Sequence, residues 1–299
     1  MSAVATESAL ACPVCGAADV EVYLEGPDAA LDASIMGSSR QAISPGRILR
    51  CRACRFGFRQ MRSSSSDLAE LYRRMNTSVY ESELAGRNRT ARVHLAIVDR
   101  HANRGRILDV GCAGGLFLEH ALRAGWSVTG IEPNELLAAE ARERLGAQGR
   151  IHRGTLEDAV LRPDFDAVTL WDVLEHVPHP QAFLSACRDL LRPGGHLFLN
   201  VPDLDSPQAR LLGRHWPLLL PEHLNYFNRE SLRLCGEHAG LTLARFGRRR
   251  ASFSVKYVAR RVAQHGIPGS HALRTLSETP LGRLLIPVSL GETYAVWAR

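Results

Sequence analysis

The sequence predicts an α/β domain built on a doubly wound parallel sheet, with a small cysteine-paired module ahead of it. Three observations carry this reading. The run Arg106-Ile107-Leu108-Asp109-Val110 turns through Gly111-Cys112-Ala113-Gly114-Gly115 and opens the helix-forming stretch Leu116 to Ala124. Such a strand–turn–helix unit presents backbone N–H groups at a helix N-terminus. Strand-like and helix-like runs then alternate in register for another hundred residues. Finally, four of the seven cysteines stand in two C-x-x-C pairs, Cys12/Cys15 and Cys51/Cys54.

At 299 residues the chain can bury a full doubly wound domain and one small additional module. Its 45% hydrophobic and 23% charged residues are ordinary for a globular protein. No apolar run approaches a membrane span, and Met1 to Ala11 lacks the basic-then-apolar profile of a signal peptide, so a cytoplasmic protein without a membrane partner is expected. The net charge of +6 raises nucleic acid as a partner. However, every basic residue except Lys256 is arginine, and the arginines are scattered. Arg248-Arg249-Arg250, the one tight run, reads as a solvated loop. Nucleic acid is therefore not the expected partner.

Taken in order, the cysteine pairs come first. A C-x-x-C knuckle lets two thiolates converge on one tetrahedral ion, and Gly16 and Gly57 follow the two pairs. Cys12, Cys15, Cys51 and Cys54 are the expected ligands of a zinc ion. With all four positions filled by cysteine, the zinc is structural rather than catalytic. Leu24 to Ser44 has little periodicity and reads as a loop or hairpin. Arg62-Ser63-Ser64-Ser65-Ser66-Asp67 reads as a linker ending in an N-cap before the helical run Leu68 to Met75. The expected domains are thus residues 1–62, the zinc-ribbon module, and 63–299. Cys112, Cys187 and Cys235 read as small buried residues.

Within the larger domain, Ser127-Val128-Thr129-Gly130-Ile131 forms a second strand ending at Glu132, where an acidic residue can accept both hydroxyls of a ribose. About Gln148 to His152 is a third strand and Asp164 to Trp171 a fourth. A helix follows from about Gln181 to Leu191, then the turn Leu191-Arg192-Pro193-Gly194-Gly195 and the strand His196 to Pro202. Leu241 to Phe246 and Glu292 to Ala298 are the last strands. A strict G-x-G-x-x-G fails, because Ala113 and Leu116 stand at the second and third glycines. A dinucleotide pyrophosphate needs close backbone approach there, which argues against a dehydrogenase.

This series of motifs closely resembles the class I S-adenosylmethionine-dependent methyltransferases over roughly Tyr80 to Phe246 and again at Glu292 to Ala298. The resemblance implies a Rossmann-like seven-stranded sheet with S-adenosyl-L-methionine as cofactor. It places Gly111, Ala113 and Gly115 along the methionine tail, Asp109 at the turn or the amino group, and Glu132 on the ribose. Thr155 and Leu156 fall beside the adenine, Trp171 and Leu174 near the adenosine or acceptor, and Tyr80 over the cofactor.

Two histidines compete for a catalytic role. His176 follows the fourth strand in Glu175-His176-Val177-Pro178, and His223 lies in Pro221-Glu222-His223-Leu224-Asn225-Tyr226-Phe227. Glu222 beside His223 could tune a base, since a neighbouring carboxylate favours imidazolium. The zinc pairs and the E-H-x-x-Y-F segment make the chain similar to deoxysugar C-methyltransferases, which implies sugar-binding or proton-accepting roles for Glu222, His223 and Tyr226. Leu220 and Pro221 stand where those enzymes carry Tyr and His. Insertions at about 203–228 and 247–290 are expected to wall the acceptor site. The second contains Arg260, Arg261, Arg274 and Arg283, read either as solvated helix faces or as a site for an anionic acceptor.

The expected function is methyl transfer to a small molecule, a sugar derivative (a nucleotide-linked sugar among the candidates) or specialised metabolite, with a histidine as candidate base. The rival readings are an RNA base methyltransferase that grips RNA with its zinc module, and a non-catalytic zinc-ribbon adaptor. The sequence leaves open which atom is methylated and the oligomeric state.

Overall fold

The computed structural model describes residues 11–27, 45–59, 65–74, 83–264, 275 and 277–299. Its central sheet has seven strands. They are β4 (Arg106–Val110), β5 (Ser127–Glu132), β6 (Arg150–Arg153), β7 (Phe165–Trp171), β8 (Leu191–Pro202), β10 (Thr242–Arg248) and β13 (Glu292–Ala298), in spatial order β10-β13-β8-β7-β4-β5-β6. Strands β4 to β8 run parallel, while β13 enters antiparallel between β8 and β10. The chain reverses direction across the sheet between β4 and β7, so the loops after β4, β5, β7 and β8 share one crevice at the strands' carboxyl ends, where such folds bind ligands. This is the Rossmann-like architecture expected from the motif series.

The parallel strands are buried on both faces. Leu108, Val168, Leu170, Leu197 and Leu199 face one core and Ile107, Ala167 and Phe198 the other. That explains why they read as continuous apolar runs rather than alternating ones. Cys112, Cys187 and Cys235 are buried free thiols, as expected. Strand β8 begins earlier than the sequence suggests. Leu191 already pairs with Phe165, and the Pro193-Gly194-Gly195 segment is an irregularity in the ladder, with Gly194 at φ +75°. A turn residue with positive φ does not end a strand when the flanking apolar residues still reach the core.

Three short strands, β1 (Val20–Leu24), β2 (Ile48–Cys51) and β3 (Gly57–Arg59), form an antiparallel sheet around the cysteine knuckles. Its fourth strand, β9 (Asn225–Tyr226), comes from far along the chain, inside the segment between β8 and β10. Between β10 and β13 the described residues form a second small sheet, β11 (Ala251–Ser254) with β12 (Leu285–Val288), and the helix Val255–Gln264. This unit packs on the helix Leu84–His101, where the Ser252 N–H donates to the Thr90 hydroxyl at 3.1 Å. A side chain at Gly86 would lie 2.3 Å from the Ser252 carbonyl, so only glycine permits that contact. Among the described residues no helix is long and apolar enough to cross a membrane.

Candidate active site

The turn after β4 is pinned to the end of β5. The N–H groups of Gly111 and Cys112 both donate to the Ile131 carbonyl, at 2.8 and 3.0 Å. Gly111 and Gly115 hold φ near +78° and +75°, and Ala113 adopts φ +46° without being glycine. Ala113 is held there by its own N–H, which donates to Glu132 Oε2 at 2.9 Å. The other carboxylate oxygen of Glu132 accepts the Asn134 N–H at 2.8 Å, and Asn134 caps the helix Glu135–Leu145. Glu132 therefore stands between the glycine turn and the next helix, with both oxygens at the crevice. Burial pushes its carboxyl up to about 7, opposed by the two backbone hydrogen bonds. Asp109, one residue before the end of β4, accepts the Thr169 hydroxyl at 2.7 Å and is likewise pushed up to about 7 by burial, with Glu132 adding to the rise.

The remaining residues expected around the cofactor are spread along the same edge. Thr155 donates both its N–H and its hydroxyl to Asp158, at 2.9 and 3.0 Å, and Leu156 is buried in the main core. Trp171 stacks on His94 with ring centroids 3.9 Å apart and meets Phe117 edge-on. Leu174 is fully buried in the turn Leu174–His176. Tyr80 lies outside the described residues. The helix Ser65–Arg74 reaches this edge, since the Asn134 amide donates to the carbonyls of Tyr72 and Arg73 and the Tyr72 ring meets His176 at 5.7 Å.

The two histidines that compete in the sequence are neighbours in the fold, with ring centroids 4.8 Å apart. Each is held through Nδ1 by a backbone carbonyl: His176 by Glu222 at 3.0 Å and His223 by Leu218 at 2.9 Å. With Nδ1 as donor, Nε2 is the basic nitrogen of each ring. Burial holds His176 below the ordinary imidazole range and so in its neutral form. A carboxyl that the sequence did not single out, Glu175, faces the pair. One oxygen of Glu175 and a ring nitrogen of each histidine lie within 4.8 Å of one another. Glu175 is buried, its Oε2 has no hydrogen-bond partner among the described residues, and burial raises its carboxyl well above the usual range. A buried carboxyl and two imidazoles can share protons or a divalent cation. Tyr226 is fully buried, and its hydroxyl donates to the Leu220 carbonyl at 3.3 Å.

Beside this pair lies a polar cluster that sequence reasoning missed. Arg249 is only 7% exposed, contrary to the solvated loop expected for Arg248-Arg249-Arg250. Its guanidinium donates to Glu292, to Asp172 and, at 3.0 Å, to His94 Nε2. Burial works against the charge of Asp172, but Arg249 and the Asn200 amide outweigh it and hold that carboxyl low. Glu292 is instead pushed up to about 7 by burial, despite Arg249. Asp172 sits at φ +57° with a half-exposed side chain, so it can meet a bound molecule while fixed from behind.

At the other end of the segment after β8, the four Sγ atoms of Cys12, Cys15, Cys51 and Cys54 lie within 4.8 Å of one another. Cys12 and Cys54 are 3.6 Å apart and Cys15 and Cys51 3.5 Å, too far for disulfides. A tetrahedral ion with bonds of about 2.3 Å to sulfur needs edges of about 3.8 Å, so the cluster fits zinc closely. A hydrogen bond from Cys54 pulls Cys12 down to about 5 while burial resists, whereas the same bond pushes Cys54 up and burial raises Cys15.

Residues 80–245 match the family described as a methyltransferase domain. The chain belongs to that family. Among curated relatives of this methyltransferase domain, the ubiquinone biosynthesis O-methyltransferase of Aromatoleum aromaticum is 38% identical over 111 residues, 35% of this chain and 47% of that protein. The protein of the same name from Chromobacterium violaceum is 33% identical over 165 residues, covering 50% of this chain and 71% of its own length. The chain spans less than half the length of the first relatives matched. A solved Bacillus halodurans protein described as a putative methyltransferase aligns with TM-score 0.49 and 19% identity over 69% of this chain and 98% of that one.

Proposed function

We propose that the methyltransferase domain binds S-adenosylmethionine in the crevice between the glycine turn and Glu132, and directs its methyl group onto a small molecule held beside His176 and His223. The observation that carries this reading is the juxtaposition of a carboxylate at the end of β5, across from the turn 111–115, with a histidine pair at the end of β7 on the same sheet edge. The donor chemistry suits the cofactor, because two oxygens of one carboxylate can accept the vicinal hydroxyls of a ribose. The cofactor, when bound, supplies an electrophilic methyl. Gly111, Ala113 and Gly115 give a backbone surface for the methionine tail, and Asp109 steadies the turn from β4.

His223 or His176 is placed to take the acceptor proton, the neutral ring being the competent form and Nε2 the basic atom. Glu175, whose oxygen lies within 4.8 Å of a nitrogen of each ring, can share the proton that results. Tyr226 and Leu174 support this edge by packing. The names of the curated relatives favour an oxygen acceptor; a sugar derivative or another specialised metabolite fits the same site. The exposed Arg260 and Arg283 would suit an acceptor carrying phosphate. The four cysteines hold a structural zinc in this reading.

His223→Ala, assayed with an acceptor found by screening sugar nucleotides and quinol-like hydroxyl compounds, is expected to lower kcat about 100-fold. S-adenosylhomocysteine affinity should stay within a factor of three. Full turnover would assign the ring to packing. The pH dependence of binding follows from Glu132 and Asp109, both near 7 in the free protein. Ribose hydroxyls donate to the carboxylate, so the ligand favours the ionised form and lowers its pKa. Affinity for S-adenosylhomocysteine should therefore rise with pH up to about 7 and then level off, with proton release on binding below that point. Calorimetry in buffers of different ionisation enthalpy reads both; a pH-independent affinity would remove Glu132 from the ribose.

A further inference from the structure

We infer that the cysteine module acts as a metal-dependent clamp on the loop that carries His223, setting the acceptor side of the crevice while leaving the cofactor side alone. The inference rests on the proposed zinc and on the proposed acceptor site.

The loop is held between two surfaces. On the module's side, β9 completes its sheet, pairing Gly57 with Tyr226 and Phe58 with Asn225. The Arg59 N–H donates to the Leu224 carbonyl at 2.9 Å, and its guanidinium donates to the Pro221 carbonyl. The Asn228 amide donates to the carbonyl of Cys54 at 3.1 Å, which ties the loop's far end to the second knuckle itself. The rings of Phe56 and Phe227 meet at 5.0 Å. A side chain at Gly57 would lie 2.8 Å from Leu204 and 3.1 Å from the Tyr226 Cβ, so this contact is as close as backbone allows.

On the other side the loop grips the segment after β7. The Leu224 N–H donates to the Glu175 carbonyl at 2.8 Å, and the Asn225 amide donates to the carbonyls of Leu174 and Val177. The Glu222 carbonyl takes His176 Nδ1. Both histidines thus depend on a loop whose outer wall is the knuckle. The hydrogen bonds of the cofactor turn, in contrast, run to Ile131, Glu132 and Arg144, with no bond to the module among the described residues.

Cys12, Cys51 and Cys54 are buried, and a structural metal's binding energy is folding energy for the knuckles around it. When the ion leaves, the carbonyl of Cys54 and the edge of β3 lose their fixed positions. The loop then loses its outer wall before the parallel sheet loses anything.

The test is hydrogen–deuterium exchange on the full chain, with and without S-adenosylhomocysteine, zinc-loaded or stripped by a chelator under reducing conditions. Exchange across 216–228 should rise at least tenfold on zinc removal, while protection of 106–134 and ligand affinity stay within a factor of three. Unchanged protection at 216–228 would overturn the clamp, and so would simultaneous loss at 216–228 and 106–134. Asn228→Asp, which keeps the oxygen that caps the following helix but loses the N–H donor to Cys54, with its zinc retained by elemental analysis, should raise exchange at 216–228 about threefold or more; no change there also overturns it. The exchange comparison can be read on ligand-free protein, so a failure to bind S-adenosylhomocysteine would count against the methyl-transfer reading and not against the clamp.

Discussion

Glu132→Ala is expected to weaken S-adenosylhomocysteine binding at least 100-fold. The carboxylate has two tasks, both at the crevice. It holds the Ala113 and Asn134 N–H groups, and so the shape of the turn and the start of the next helix. In the proposed complex it also accepts the ribose hydroxyls. A hydrogen bond to a charged group contributes about 1.5–3 kcal/mol, so losing two corresponds to a factor on the order of 100 or more. Glu132→Gln separates the tasks. Its carbonyl oxygen can still accept, but its amide cannot accept the second hydroxyl, and affinity should fall between the two extremes. Titration calorimetry with the folded variants gives the answer, and a dissociation constant unchanged in the alanine variant would end the ribose assignment.

Arg249→Met should have the largest effect on stability. The guanidinium is the cation shared by Asp172 and Glu292, and its Nε–H satisfies His94. Methionine fills much of the same volume but leaves a buried carboxylate without its counter-charge. Breaking a buried pair in this way costs about 3–5 kcal/mol. In a chain of this size that lowers Tm by on the order of 10 °C. The sign of the pH dependence is also fixed. A buried acid whose folded pKa is raised stabilises the fold at low pH and loses that contribution as pH rises through the raised value. With Glu292 already near 7 beside Arg249, removal of the arginine moves it higher. The deficit should be smaller at pH 5 than at pH 8. Thermal melts that agree within 2 °C at both pH values would mean that the cluster is solvated.

The contrast between these two residues shows what a linear sequence discloses. The place of Glu132 was legible because it follows from local pattern: a strand that ends in an acid, a fixed distance after a glycine turn. The two cysteine pairs were legible for the same reason, since a C-x-x-C knuckle is a local geometry, and their convergence on one tetrahedron follows from their count. Arg249 offered no such signal. It sits in a run of three arginines, and only the return of β13 beside β10 places Glu292 against it.

Glu175 is an intermediate case. An acid directly before His176 could have drawn attention, but Glu222 stands just as close to His223 in sequence. Its approach to both histidines depends on the loop crossing back over the end of β7. The fourth strand of the cysteine module was illegible because β9 is two residues long and lies more than 160 residues from β3. Tyr226 belongs to a segment that reads as chemistry, yet its hydroxyl is spent on a backbone carbonyl in the core. The strand β8 was found but not its start, because Pro193-Gly194-Gly195 carries the signature of a turn even within a ladder.

The most direct test of the central claim is titration calorimetry with S-adenosylmethionine and S-adenosylhomocysteine on folded protein of known metal content. Dissociation constants at micromolar strength or tighter, with close to one zinc per chain, are the predicted result. Folded, zinc-loaded protein that binds neither compound would contradict the reading of the crevice between the glycine turn and Glu132 as a cofactor site.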